Sequence, residues 1–150
     1  MAAAETLETL QAIADGSLPG VPQDPALVTM TTKIKKSDGC IDWTKSAAVI
    51  EALVRACTPW PGAGVTLELN GEVKNITVTR ARVVPNNANT PAGTVIKADR
   101  KGWIVACGEA ALELLEVIPP GKKAMPGAGF LNGCREDLTG KSLLTGAENV

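Results

Sequence analysis

The dipeptide Asn70-Gly71 constrains this chain more than any other pair of residues in it. Both residue types tolerate positive φ, which a two-residue turn between antiparallel strands demands. On the near side Val65, Leu67 and Leu69 alternate with Thr66 and Glu68. A two-residue turn then pairs Leu69 with Glu72, Leu67 with Lys74, Val65 with Ile76 and Ala63 with Val78. That register collects the apolar members of both strands on one face, except near the tip. Farther along, the apolar positions change parity: Ile76 and Val78 are even, Ala81 and Val83 odd. A slip of one residue within a long strand predicts a β-bulge near residues 79–81. Bulges bend strands, and bent strands suit barrels.

Before the hairpin the period is helical. Ala47, Ile50, Leu53, Val54 and Cys57 fall on one face, with Thr44 as the expected N-cap and Glu51 and Arg55 four apart as a surface pair. Pro59 ends this helix, because it disfavours the α region at Thr58. Trp60, between Pro59 and Pro61, has little backbone freedom and is expected to be a buried anchor between helix and sheet. After the hairpin, residues 86–92 read as a loop. Residues 93–98 and 103–107 read as strands joined by a turn at 99–102, and residues 111–118 as a last strand bounded by Pro119-Pro120-Gly121. Short strands at this spacing indicate a small, mostly β barrel. A short helix over 125–133 opens at Pro126 and ends at Gly133.

The two ends read differently from the middle. Residues 5–14 form a short amphipathic helix ended by Asp15-Gly16, and residues 17–25 (SLPGVPQDP) an extended, proline-rich connector. The expected organisation is therefore a linker helix and connector over 1–32, a β-barrel domain over 33–135 and a frayed tail over 136–150. Charge follows the same division. Formal charge is −4 over 1–32, +5 over 33–135 and −2 over 136–150, within a net charge of −1. A mildly basic domain is permissive for a polyanionic partner.

Composition excludes several chemistries. The chain has no histidine, so no Ser-His-Asp or Cys-His arrangement can be built within it, and no Walker loop or GxGxxG after a strand is present. Cys40, Cys57, Cys107 and Cys134 lack the short spacing of a zinc site and are expected to be reduced. The start, MAAAETLETL, has no basic n-region, no long apolar core and no arginine, and no apolar run approaches a membrane span. A cytoplasmic location is the expectation.

The ordered series of motifs resembles the C-terminal domain of methionyl-tRNA formyltransferase. It runs through Ile41-Asp42-Trp43, Ala47, Ile50, Arg55, Pro59-Trp60-Pro61-Gly62-Ala63, Leu69-Asn70-Gly71 and Gly93-Thr94-Val95. It continues through Val105-Ala106-Cys107-Gly108, Leu114-Leu115-Glu116-Val117, Pro119-Pro120-Gly121-Lys122-Lys123, Met125 and Phe130-Leu131-Asn132-Gly133. Residues 6–25 are similar to the helix and connector that lead from that family's catalytic domain. The chain departs from the family at Met30-Thr31-Thr32-Lys33, at Gly64 and at Pro126.

The resemblance implies an open Greek-key barrel related to the OB-fold. It also implies a parent enzyme that transfers a formyl group from 10-formyltetrahydrofolate to methionyl initiator tRNA. Folate site and chemistry then belong to an N-terminal Rossmann-like catalytic domain, a partner of this chain, and no catalytic residue, cofactor or metal is expected here. By itself this chain is expected to be inactive and to help hold tRNA by phosphate contacts. The candidate RNA-binding residues are Lys33, Lys35, Lys36, Arg80, Arg82, Lys122 and Lys123, each of which has an ordinary solvated surface role as the competing reading. With Trp43, Trp60, Trp103 and Phe130 as the only aromatics, core packing accounts for the rings better than base stacking does. The alternative function is a structural or interaction barrel of another formyltetrahydrofolate-using enzyme, with no RNA role.

Overall fold

The computed structural model describes residues 2–86, 90–134 and 136–145. The chain divides into two units, Met1–Lys33 and Ile34–Val150. The first holds helix α1 (Ala2–Ala14) and a 3-10 turn, Pro25–Leu27, whose N-cap Asp24 accepts from the Ala26 amide at 2.9 Å. Leu7, Leu10 and Ile13, the apolar face of α1, are exposed.

The second unit starts with a 3-10 turn, Lys36–Gly39, and helix α2 (Ala47–Ala56). The N-cap of α2 is Ser46, two residues later than expected, with its Oγ accepting from the Val49 amide at 3.4 Å. Thr44 is drawn off by Asp42, whose carboxylate accepts both its amide (3.0 Å) and its hydroxyl (2.7 Å). An Asx-type turn thus competes with the helix for those two residues. The expected face is the buried one: Ala47, Ile50, Val54 and Cys57 are almost wholly enclosed and Leu53 partly so.

Among the described residues seven strands follow: β1 (Ala63–Leu69), β2 (Glu72–Val84), β3 (Val95–Asp99), β4 (Gly102–Ala106), β5 (Ala111–Ile118), β6 (Met125–Pro126) and β7 (Leu144–Thr145). The hairpin has the predicted register, Ala63 to Val78 through Leu69 to Glu72. Its turn has φ of 51° at Asn70 and 79° at Gly71, the positive pair that a primed turn needs. The register of β2 against β5 shifts between Val78 and Ala81, so the parity change is a bulge in the structure. Below it Ile76 and Val78 enter the core; beyond it Ala81 is the half-buried member and Arg80 and Arg82 face out. The strand order is β3-β4-β5-β2-β1-β7, with β6 beside β5. Strands β3, β4 and β5 are consecutive and β2 returns beside β5, which is the Greek-key arrangement. The result is an open, curled half-barrel sheet. Helix α2 packs on β2 and β5, and helix α3 (Gly127–Asn132) packs on β3, β4 and β5.

Two features differ from expectation. The segment after Arg135 does not fray over the described residues. Leu138 and Leu143 are buried in the core, at roughly 1.5–3 kcal/mol for each fully buried side chain. The backbone is committed as well. The Gly140 amide donates to the Val95 carbonyl and the Val95 amide to the Lys141 carbonyl, both at 2.8 Å, and Leu144–Thr145 then pairs with β1. The segment is therefore hydrogen-bonded to both the β3 and the β1 edges of the sheet. Residues 146–150 and residues 87–89 of the expected loop lie outside the described residues.

The second difference is Trp60, which is 57% exposed rather than buried. The space beneath the corner is filled by backbone. A Cβ on Gly39 would lie 2.1 Å from the Gly62 carbonyl oxygen, so the 3-10 turn and the corner touch main chain to main chain and leave no room for an indole. Trp43 and Trp103 are the buried rings; Trp103 stacks on Phe130 with centroids 5.4 Å apart. Both buried indole N–H groups lack a hydrogen-bond partner.

Candidate nucleic-acid interface

Three places carry the sequence-predicted cations of the second unit. The first is the loop after β5. Ile118 ends the strand, Pro119 is buried, and Pro120-Gly121 turn the chain so that Lys122 and Lys123 stand exposed. The turn is closed by the Lys122 amide donating to the Pro119 carbonyl at 3.1 Å. Beside this loop lies a groove of about 910 Å³ between the underside of the β1–β2 hairpin and α3. Its walls are about equally apolar (Leu69, Val73, Ile118, Met125, Phe130) and polar, with Lys74, Asn75, Thr77 and Lys122 among the polar residues.

Among the described residues no carboxylate lines the groove, and its one thiol, Cys134, has its pKa raised above the ordinary value by burial. Lys74 and Lys122 oppose that shift and Glu136 adds to it, which places both lysines within electrostatic reach of the groove's inner end. Glu136 itself is committed elsewhere. It accepts from Lys141 and from the Asn70 amide (3.1 Å), and these two bonds hold its pKa below the usual carboxylate value. These residues do not fit the folate-dependent chemistry of a formyl transfer. Among the described residues the groove presents neither a carboxylate nor a lowered thiol to act as base. Among the described residues there is also no cluster of three potential metal ligands.

The second place is the turn before α2. Lys35 caps the 3-10 turn and Lys36 begins it; both are exposed. The Asp38 carboxylate accepts the Lys35 amide at 2.8 Å, which fixes the turn that carries both side chains. Cys57 Sγ meets the Asp38 carbonyl at 3.8 Å, so this turn sits against the end of α2. Lys33 is exposed in the other unit.

The third is the outer face of β2. Arg82 donates to the Glu113 carboxylate on β5 at 2.5 Å and 3.1 Å. Arg80 stands opposite Glu116, whose carboxylate accepts from the Thr79 hydroxyl at 2.7 Å. Of the seven predicted cations only Arg82 forms an ion pair among the described residues. The same test adds two residues that the sequence reading passed over. Arg100 and Lys101, in the β3–β4 turn, are exposed and also without an ion pair. The available signal was composition, since two cations fill the middle of the four-residue turn Asp99-Arg100-Lys101-Gly102.

A family model described as formyl transferase, C-terminal domain, matches residues 33–135. Among solved structures the fold is similar to HypX from Aquifex aeolicus. A multiply substituted variant of it matches with a TM-score of 0.55 at 19% identity, over 88% of this chain and 24% of that one. HypX in complex with tetrahydrofolic acid matches with a TM-score of 0.54 at 19% identity, over 88% of this chain and 23% of that one. The chain thus spans about a quarter of the length of these structures.

Proposed function

Because this chain belongs to the formyl transferase C-terminal domain family, we propose that it is the accessory tRNA-binding barrel of a methionyl-tRNA formyltransferase. In this reading the parent enzyme works in the cytoplasm. It moves a formyl group from 10-formyltetrahydrofolate to methionyl initiator tRNA on a separate Rossmann-like catalytic domain. The barrel contributes grip. The observation that carries the reading is that Lys33, Lys35, Lys36, Lys122 and Lys123 are exposed and unpaired with carboxylates among the described residues. Cations left free by the fold release counterions when they meet phosphates, and that term supplies most non-specific affinity for nucleic acid. Filter binding of initiator tRNA to the whole chain at low and at moderate salt tests this. Binding that weakens steeply with salt is expected; no binding at low salt by folded protein overturns it.

A second reading is supported by the likeness in fold to HypX, one structure of which holds tetrahydrofolic acid. Here the barrel is a structural or interaction module of another formyltetrahydrofolate-using enzyme. Its mark would be saturable binding of a purified formyltransferase catalytic domain with no effect of added tRNA.

A further inference from the structure

Trp43 and Trp103 are buried, whereas Trp60 presents more than half of its surface to solvent. An indole left in water forgoes the burial that a core would give it. Its presentation is nonetheless fixed. The Thr58 hydroxyl donates to the Val54 carbonyl at 2.7 Å, the Gly62 amide donates to the Cys57 carbonyl at 2.8 Å, and Pro59 and Pro61 restrain the backbone on either side. From below, the corner rests on Gly39 through the Gly62 carbonyl and the Pro61 ring. Gly39 ends the same 3-10 turn that Lys36 begins and Lys35 caps. The fold therefore joins a rigid, exposed aromatic ring to a turn bearing two unpaired lysines. Asp38, the acid of that turn, accepts the Lys35 backbone amide and pairs with neither lysine.

Resting on the RNA-binding reading above, we infer that Trp60 is a stacking platform for an unpaired base of the bound RNA, with Lys35 and Lys36 on the flanking phosphates. An aromatic face beside cations is the arrangement by which proteins hold single-stranded nucleic acid, since every base has a π-face and every linkage a charge. Little entropy is lost on binding, because the corner is already in place. Trp60 thus separates recognition of unpaired nucleotides from the phosphate grip of Lys122 and Lys123, which tolerates duplex and single strand alike.

Tryptophan emission of the whole chain reads this directly, because the other two indoles are enclosed. A single-stranded RNA of about 12 nucleotides is expected to quench the emission, and the same strand annealed to its complement to quench it far less. Trp60→Leu is expected to abolish the quench and to weaken single-strand binding about tenfold, while Trp60→Phe keeps most of the affinity. The inference is overturned if saturating RNA leaves the emission unchanged, or if duplex quenches as well as single strand. It is overturned too if Trp60→Leu, folded by circular dichroism, binds the strand as tightly as the native chain. Emission that answers only to a purified formyltransferase catalytic domain also overturns it, in favour of a protein partner. Should tRNA bind with native affinity to Trp60→Leu, this inference falls and the tRNA reading stands; should no RNA bind either protein, both fall.

Discussion

The loop from Pro119 to Lys123 and the outer face of β2 each offer two cations, and in the sequence they look equivalent. In the fold they are not. Arg82 is ion-paired with Glu113 at 2.5 Å, and Arg80, though it forms no ion pair among the described residues, stands across from Glu116, because antiparallel pairing of β2 with β5 sets acids opposite both. Lys122 and Lys123 lie outside the strands on a Pro-Pro-Gly turn, and no carboxylate pairs with them among the described residues. A ligand meets the charge that remains after the fold has paired its own. Magnitude matters here too. Exposed ion pairs are worth about 0.2–1 kcal/mol, so Glu113 competes with a phosphate for Arg82 without locking it away.

That contrast can be broken or sharpened by substitution. The largest effect is expected at the loop: changing both Lys122 and Lys123 to Ala should weaken tRNA binding about tenfold and flatten its logarithmic salt slope by roughly 1.5. An unchanged slope would place the grip elsewhere. Next, Glu113→Gln removes the competitor of Arg82 and should tighten tRNA binding by up to about fivefold; a loss of affinity would mean that Glu113 itself orders the contact surface.

Acid should act on the wall of the groove rather than on the loop. Glu136 has a lowered pKa, so its contribution to stability is present above its unfolded value and is lost as pH falls through the depressed folded value. The protection factor of the Asn70 amide, whose hydrogen bond Glu136 accepts, should fall over that acidic range, and Glu136→Gln should remove that fall. Smallest of all, Arg82→Ala should change tRNA affinity less than twofold, because the pair it breaks is exposed on the arginine side and worth little. A tenfold loss there would erase the distinction between the two regions.

What the sequence made legible was whatever two-fold and 3.6-fold periodicity encode. The hairpin register, the bulge between Val78 and Ala81, the buried face of α2 and the short helix after Pro126 all follow from local pattern. Non-local contacts were not legible. Leu138 and Leu143 sit in a segment with no periodic run, and their burial depends on hydrogen bonds to β3 and β1, far off in sequence. Trp60 looked like a core residue because its flanking prolines imply rigidity. Rigidity fixes where a side chain points without deciding whether that direction is inward, and the contact of Gly39 with Gly62 decides it. At the candidate interface, the lysines could be named from the chain, but the pairing of Arg82 with Glu113 needed the register of β2 on β5. Arg100 and Lys101 stand out only once the fold shows that the carboxylate of their turn, Asp99, pairs with Lys97 instead.

The central claim is that the cations left unpaired by the fold are the ones that touch RNA. Lysine acetylation of the whole chain with and without initiator tRNA, read by mass spectrometry, addresses each residue separately. The account predicts that tRNA protects Lys33, Lys35, Lys36, Lys101, Lys122 and Lys123 strongly and leaves the ion-paired Lys97 and Lys141 near their unbound rates. Protection spread evenly over paired and unpaired lysines, or confined to the paired ones, would contradict it.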